Sequence, residues 1–187
     1  IADRFQPPNL AHLMGTDHLG MDIFSRIVYA TQVDLVIALS GVLLGMVIGV
    51  PLGAIIGYSP RVIDEIVMRV IDSINAFPVF ILAMGVAAAM GPGVKNVILV
   101  VGFVTFPSYL RLVRGEVLSL KQRQFIEAAR GVGNSPVRIV FIHLLPNAIT
   151  PALVLASLNT AHSILIAAGL SFIGVGVPLP TPEWGLM

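Results

Sequence analysis

The sequence predicts an all-α, polytopic membrane helix bundle with about four membrane-crossing helices. Three observations carry this. First, 56% of the 187 residues are hydrophobic and 11% are charged, against about 25% charged in a soluble domain. With a mean hydropathy of +0.93, there are too few charges to cover a soluble surface of this size. Second, Leu35 to Gly57 is a run of 23 residues without one charge, enough for a hydrocarbon core of about 30 Å. Third, six basic side chains crowd into one polar interruption, 111–138, between apolar runs.

The same composition excludes some chemistry. The chain has no cysteine, so it forms no disulfide framework, zinc–thiolate site or cysteine nucleophile. Residues 1–32 are polar and mixed, unlike a basic-then-apolar signal peptide. The chain begins at Ile1 and stops just after Trp184-Gly185-Leu186, and both ends are expected to be cut.

In the first span Gly41, Gly45, Gly49, Gly53 and Gly57 recur every four residues. On a helix they fall on nearly one face, which lets another backbone approach closely. Pro51 is expected to kink this helix, its freed carbonyl satisfied by neighbours.

The second apolar segment, Val62 to Met90, is too long for a simple crossing. Asp64, Glu65, Arg69 and Asp72 fill its first turns. Glu65–Arg69 and Arg69–Asp72 have spacings that allow pairing along one face. Such charges either mark a translocation path or lie in the headgroup layer; their crowding at one end favours the layer for 62–73, with 74–90 inside. Pro78 should bend the segment. Gly91-Pro92-Gly93 is a turn.

The third span runs from about Val94 to Leu112, with Pro107 near its exit. The fourth runs from about Leu144 to Ile173, with Pro146 and Pro151 in its first turns. After Gly174 the proline-rich sequence to Pro182 cannot be helical and is read as an extended loop.

Basic residues orient the spans. Arg111, Arg114, Lys121, Arg123, Arg130 and Arg138 lie between spans three and four, and Arg61 and Arg69 follow span one. Only Lys95 lies between spans two and three, and the C-terminal loop has none. Alternation puts 58–73 and 111–143 inside, and 1–32, 91–96 and 174–187 outside.

The basic loop reads as two helices with a hinge. Leu118 to Arg130 has strong helix formers and no Pro or Gly, with Arg123 and Glu127 at i,i+4. Gly131 and Gly133 end it. Ser135 then caps a new helix with Pro136 at its first position. A short helix with small Ala128 and Ala129 exposed can dock in a groove of a cytosolic partner. It can equally lie on anionic lipid.

Here the residues resemble a known family. Glu127, Ala128, Ala129, Gly133, Leu145 and Pro146 match, at the right spacing, the signature of permease subunits of bacterial binding-protein-dependent ABC importers. His143-Leu144-Leu145-Pro146-Asn147 is similar to the dipeptide, oligopeptide and nickel branch. So are Gly15 to Asp22 with Ser25-Arg26, Arg111 to Gly115, Leu170 to Gly176, and Glu183-Trp184-Gly185, which resemble its "C" type permease. Met21 departs from the pattern, standing where the branch commonly has Arg.

The resemblance implies a type I ABC importer permease fold, with interfacial and coupling helices beside the spans. It divides the chain into an extracytoplasmic segment 1–32, a permease core 33–173 with a cytoplasmic coupling loop 111–143, and an extracytoplasmic loop 174–187 before a last helix. It implies a multi-pass subunit of the bacterial cytoplasmic (inner) membrane, within the lipid bilayer. The expected partners are a second permease subunit (a heterodimer), two cytosolic ATPase subunits and an extracytoplasmic substrate-binding protein; no nucleic acid is expected. Glu127, Ala128, Ala129, Arg130, Gly133, Asn134 and Ser135 would contact an ATPase subunit. ATP and Mg would sit on those partners, with no cofactor or metal on this chain. Peptides are the commoner cargo of the branch; nickel and other solutes stay open.

Other classes fare worse. The chain has no Gly-x-x-x-x-Gly-Lys-Ser/Thr phosphate loop, so hydrolysis is not expected of it. Asp72, His143, Asn159 and His162 could be assembled into an intramembrane enzyme site, but no metal spacing supports it. A channel would need no coupling helix. Asn159 and His162, the strongly polar pair mid-way along span four, either bond between helices, at about 0.6 kcal/mol, or line the substrate path.

Overall fold

The computed structural model describes residues 4–187, so of the N-terminal segment 1–32, residues 1–3 lie outside the described residues. Six helices follow one another: α1 (Ile23–Tyr58), α2 (Arg61–Asn75), α3 (Val79–Met90), α4 (Val94–Leu120), α5 (Gln124–Gly131) and α6 (Pro136–Phe172). Among the described residues there is no strand, only an isolated bridge between Thr16 and Asp22. Helices α1, α4 and α6 are long and apolar enough to cross a membrane; α2 and α3 together would make a fourth crossing, bent by 86°.

Helix α1 starts ten residues before the expected boundary at 32. The Asp22 carboxylate accepts from the Ser25 amide at 2.7 Å, satisfying a donor that the first helical turn leaves unpaired. Asp17 accepts from the Leu19 and Met21 amides and from Arg26 Nη1, the last at 2.7 Å. The short motif before α1 is therefore a folded cap on the helix.

The five-glycine face packs as its spacing predicts. A Cβ on Gly41 would lie 2.4 Å from the Val101 side chain, one on Gly49 2.5 Å from the Phe106 carbonyl oxygen, and one on Gly57 2.9 Å from Val117. Partner numbers rise together, so α1 and α4 run parallel. Close backbone approach replaces hydrophobic driving force inside lipid. Pro51 lies inside an unbroken α1.

Pro78 breaks the second segment, as expected, at the α2–α3 junction. The charges of α2 do not pair as expected. Glu65 pairs with Arg61 at 2.6 Å, and Asp72 reaches Arg111 of α4 at 2.5 Å. Asp64 makes a two-pronged contact with Arg114, its Oδ2 lying 2.6 Å from Nη2. Arg61 takes Glu65 and Arg111 takes Asp72, the two expected partners of Arg69, which is exposed.

Helix α4 also overruns its expected end near Leu112. It continues through Pro107 to Leu120, so Arg111 and Arg114 stand on the last turns of a helix rather than in an irregular loop. The expected single helix 118–130 is instead broken at 121–123. α6 opens with Pro136–Arg138, passes through a π-helical turn at Ile139–Leu144, and runs on from Leu145. After it the chain is irregular to a 3-10 turn at Trp184–Leu186, in line with the extended loop expected there.

Candidate functional site

Helix α5 is held at one end of the bundle by the residues around it. As α4 ends, Lys121 Nζ donates to the Gly57 carbonyl at 3.1 Å. That carbonyl belongs to the last turn of α1, where no intrahelical partner remains. The chain turns, and Arg123 opens α5 with an extended backbone.

The break in the 118–130 helix has a packing reason. It brings Ile126 and Ala129, one turn apart, back against the bundle at 0% and 6% exposure. There they join a core with Val113, Val117, Ile139 and Leu144. Ala129 was expected to be exposed and is not; Ala128 is exposed. The expected Arg123–Glu127 ion pair is not formed among the described residues. Arg123 sits at the cap, off the helix face, and only its carbonyl meets Glu127, accepting from the amide at 3.4 Å.

Arg130 ties α5 to α1. Its Nε donates to the Tyr58 hydroxyl at 3.2 Å, and its guanidinium carbon lies 5.3 Å from the ring centroid. An exposed cation over a half-buried ring such as Tyr58 contributes about 0.5–1 kcal/mol.

The C-terminal stop of α5 is a Schellman motif. Asn134 N donates to the Ala129 carbonyl at 3.1 Å and Gly133 N to that of Arg130 at 2.9 Å. This requires φ of +80° at Gly133, which glycine adopts without a Cβ penalty. The next helix then starts as expected, with Ser135 Oγ accepting from Arg138 N at 3.4 Å and Pro136 at the first position.

The outer face of α5 and its turn carries Phe125, Glu127, Ala128, Arg130, Gly133 and Ser135, all exposed, with Asn134 half-buried. Sequence reasoning missed Phe125 and Val132, which are 43% and 80% exposed. The signal was present: Ile126 and Ala129 already fill the inner face, which leaves Phe125 no core to enter.

The second candidate pair lies several turns further along α6. Asn159 Nδ2 is 3.5 Å from Ser108 Oγ of α4, the outer limit of a hydrogen bond. Ser108 lines a cleft of about 410 Å³ with Asn75, Val104, Arg111, Leu112 and Leu155. His162 is exposed. Asp72, His143, Asn159 and His162 are not gathered into a site: Asp72 is taken by Arg111, and among the described residues no three metal-capable side chains cluster.

Residues 49–187 match the model of the family described as binding-protein-dependent transport system inner membrane component. The chain belongs to that family. Its membrane helices and the Glu127–Gly133 signature are thus those of a transport permease domain. It is 44% identical over 180 residues to the glutathione transport system permease protein GsiD of Pectobacterium atrosepticum, covering 96% of this chain and 60% of that protein. The GsiD protein of Escherichia coli O6:K15:H31 gives the same identity, over 96% and 59%. A Brucella suis protein provisionally named as a peptide transport system permease is 41% identical over 182 residues, 97% of this chain and 61% of that protein. The chain spans about 60% of the length of these relatives. Their names agree with the branch that the sequence motifs resemble.

Proposed function

We propose that this chain is the permease portion of an ATP-driven importer for small peptides, with glutathione-like tripeptides as the first candidates. α5 and its Gly133–Ser135 turn form the coupling element that docks on a cytosolic ATPase subunit. The observation that carries this reading is the two-sidedness of α5. Its inner face is anchored in the bundle by Ile126 and Ala129. Its outer face offers Phe125, Glu127, Ala128 and Arg130 unburied, and Arg130 and Lys121 fasten it to the end of α1.

The remaining parts follow from the family. A second permease subunit completes a heterodimer, two ATPase subunits bind ATP and Mg, and an extracytoplasmic binding protein delivers the peptide. The polar cleft beside Ser108 and Asn159 forms part of the translocation path, with His162 further along it. Residues 111–143 then face the cytosol, and 1–32 and 174–187 the opposite side.

The experiment pairs uptake with assembly. Glu127→Lys reverses a charge on the outer face. Gly133→Asp puts a side chain where φ is +80° although no neighbour lies within 4 Å, so its effect is on the turn and on whatever docks there. Both variants are expected to insert normally, to lose uptake of labelled glutathione and dipeptides, and to co-purify less ATPase subunit. Normal uptake and normal co-purification in both would make α5 an interfacial helix on lipid instead.

A further inference from the structure

Glu183 and Asp34 are acidic side chains with 0% and 1% exposure. They come together where the segment 174–187 crosses α1, at the end opposite α5: Asp34 takes the amide of Trp184, the residue next to Glu183. Asp34 Oδ2 accepts from the Trp184 amide at 3.3 Å, and Glu183 Oε2 from the Gly185 amide at 2.8 Å. Asp34 Oδ1 and Glu183 Oε1 have no donor. Two buried oxygens without donors, on adjacent carboxyl groups, are satisfied by one proton held between them.

Among the described residues no positive charge offsets the pair. The one basic side chain of α1, Arg26, is committed to Asp17 at 2.7 Å. Along 145–172 the only titratable side chain is His162, which is exposed and more than two turns from Ser171. Lys95, at the start of α4, is exposed, as is His18 before α1. Asp22 and His12 pair with each other at 3.1 Å. The segment beyond α6 carries no charged residue other than Glu183. The charge acting on Glu183 is that of Asp34.

We propose that Asp34 and Glu183 form a one-proton clasp, a carboxyl–carboxylate pair that fastens the segment 174–187 to α1 while protonated and loosens it when both groups ionise. The segment fits closely enough to need such a fastening. A Cβ on Gly185 would lie 2.1 Å from the Ala168 carbonyl oxygen of α6, and the Trp184 indole donates to the Ile27 carbonyl of α1 at 3.3 Å.

Burial, and then the neighbouring Asp34 charge, push the Glu183 carboxyl from 4.5 up to about 7. The fastened segment therefore binds one more proton than the released segment between those two values. The clasp is at full strength below about pH 4.5, weakens roughly tenfold per pH unit as pH rises towards about 7, and is level above that. This inference does not depend on the transport reading.

Hydrogen exchange of the Trp184 and Gly185 amides tests it, in the full-length protein in lipid nanodiscs, with rates corrected for intrinsic exchange. In the wild type, protection should fall at least about tenfold between about pH 5 and pH 7 and then stay level. Glu183→Gln, which cannot ionise, should hold protection constant across the range. Asp34→Asn removes the like charge and should move the midpoint to lower pH, a shift that a purely structural role would not produce. A flat wild-type profile would overturn the proposal, as would the wild-type fall persisting in Glu183→Gln. Protection above about pH 7 that is restored by added calcium would also overturn it, by making the pair a cation site.

Discussion

Gly53 faces the Leu110 carbonyl oxygen so closely that a Cβ on the glycine would lie 2.5 Å from it. The obstacle is backbone, which cannot swing aside as a side chain can. Gly53→Ala should therefore separate α1 from α4 and destabilise the bundle by about 1–3 kcal/mol, as overpacking does. Gly115→Ala is the control, because nothing lies within 4 Å of its Cβ position and alanine favours helix by up to about 1 kcal/mol. Thermal unfolding in detergent checks both. Equal melting temperatures for the two variants would contradict the seam.

Asp64 and Arg114 should matter more than Arg61 and Glu65. The first pair has 13% and 24% side-chain exposure and joins two helices; the second has 89% and 52% and lies within one turn. Arg114→Gln leaves a half-buried carboxylate unpaired, a loss of about 2 kcal/mol after allowing for solvent. Arg61→Gln should cost less than about 0.5 kcal/mol. Exchanging the pair, Asp64→Arg with Arg114→Asp, should recover part of the loss in the same melting assay.

Ile126→Ala should loosen α5 without unfolding the spans. Removing a fully buried isoleucine costs about 2–5 kcal/mol, and here the cost falls on one eight-residue helix. Hydrogen exchange within 124–131 should accelerate while α1 and α4 stay protected. Phe125→Ala, at an exposed position, should leave that exchange unchanged.

Sidedness is open to direct labelling, because the chain has no cysteine. Leu10→Cys, fully exposed before α1, should react with an impermeant thiol reagent in whole cells whose outer membrane admits it. Arg123→Cys should react only after the cells are broken. The reverse pattern would invert the orientation.

What could be read from the sequence was local. Five glycines at a spacing of four define a face whatever lies opposite, and Gly133-Asn134-Ser135-Pro136 encodes a helix stop and restart within four residues. Pro78 announced its bend. What could not be read was set by distant partners. The break before α5 appears only because Ile126 finds Val117 and Ile139. Asp72 looks ready to pair with Arg69 along its own helix until α4 presents Arg111. Glu183 looks like an ordinary loop glutamate until the segment 174–187 lays it against Asp34. Phe125 and Val132 stand exposed because Ile126 and Ala129 already fill the inner face of α5.

The seam between α1 and α4 also has a mechanical consequence. Two helices locked backbone to backbone from Gly41 to Gly57 cannot slide past each other and resist bending together. A push at the α5 end must travel as a tilt of the whole beam. At about 1.5 Å per residue the 36 residues of α1 make a lever of roughly 54 Å. A tilt of about 5° then carries the far end through roughly 5 Å relative to the near one, and Asp34, about 36 Å from that near end, through roughly 3 Å.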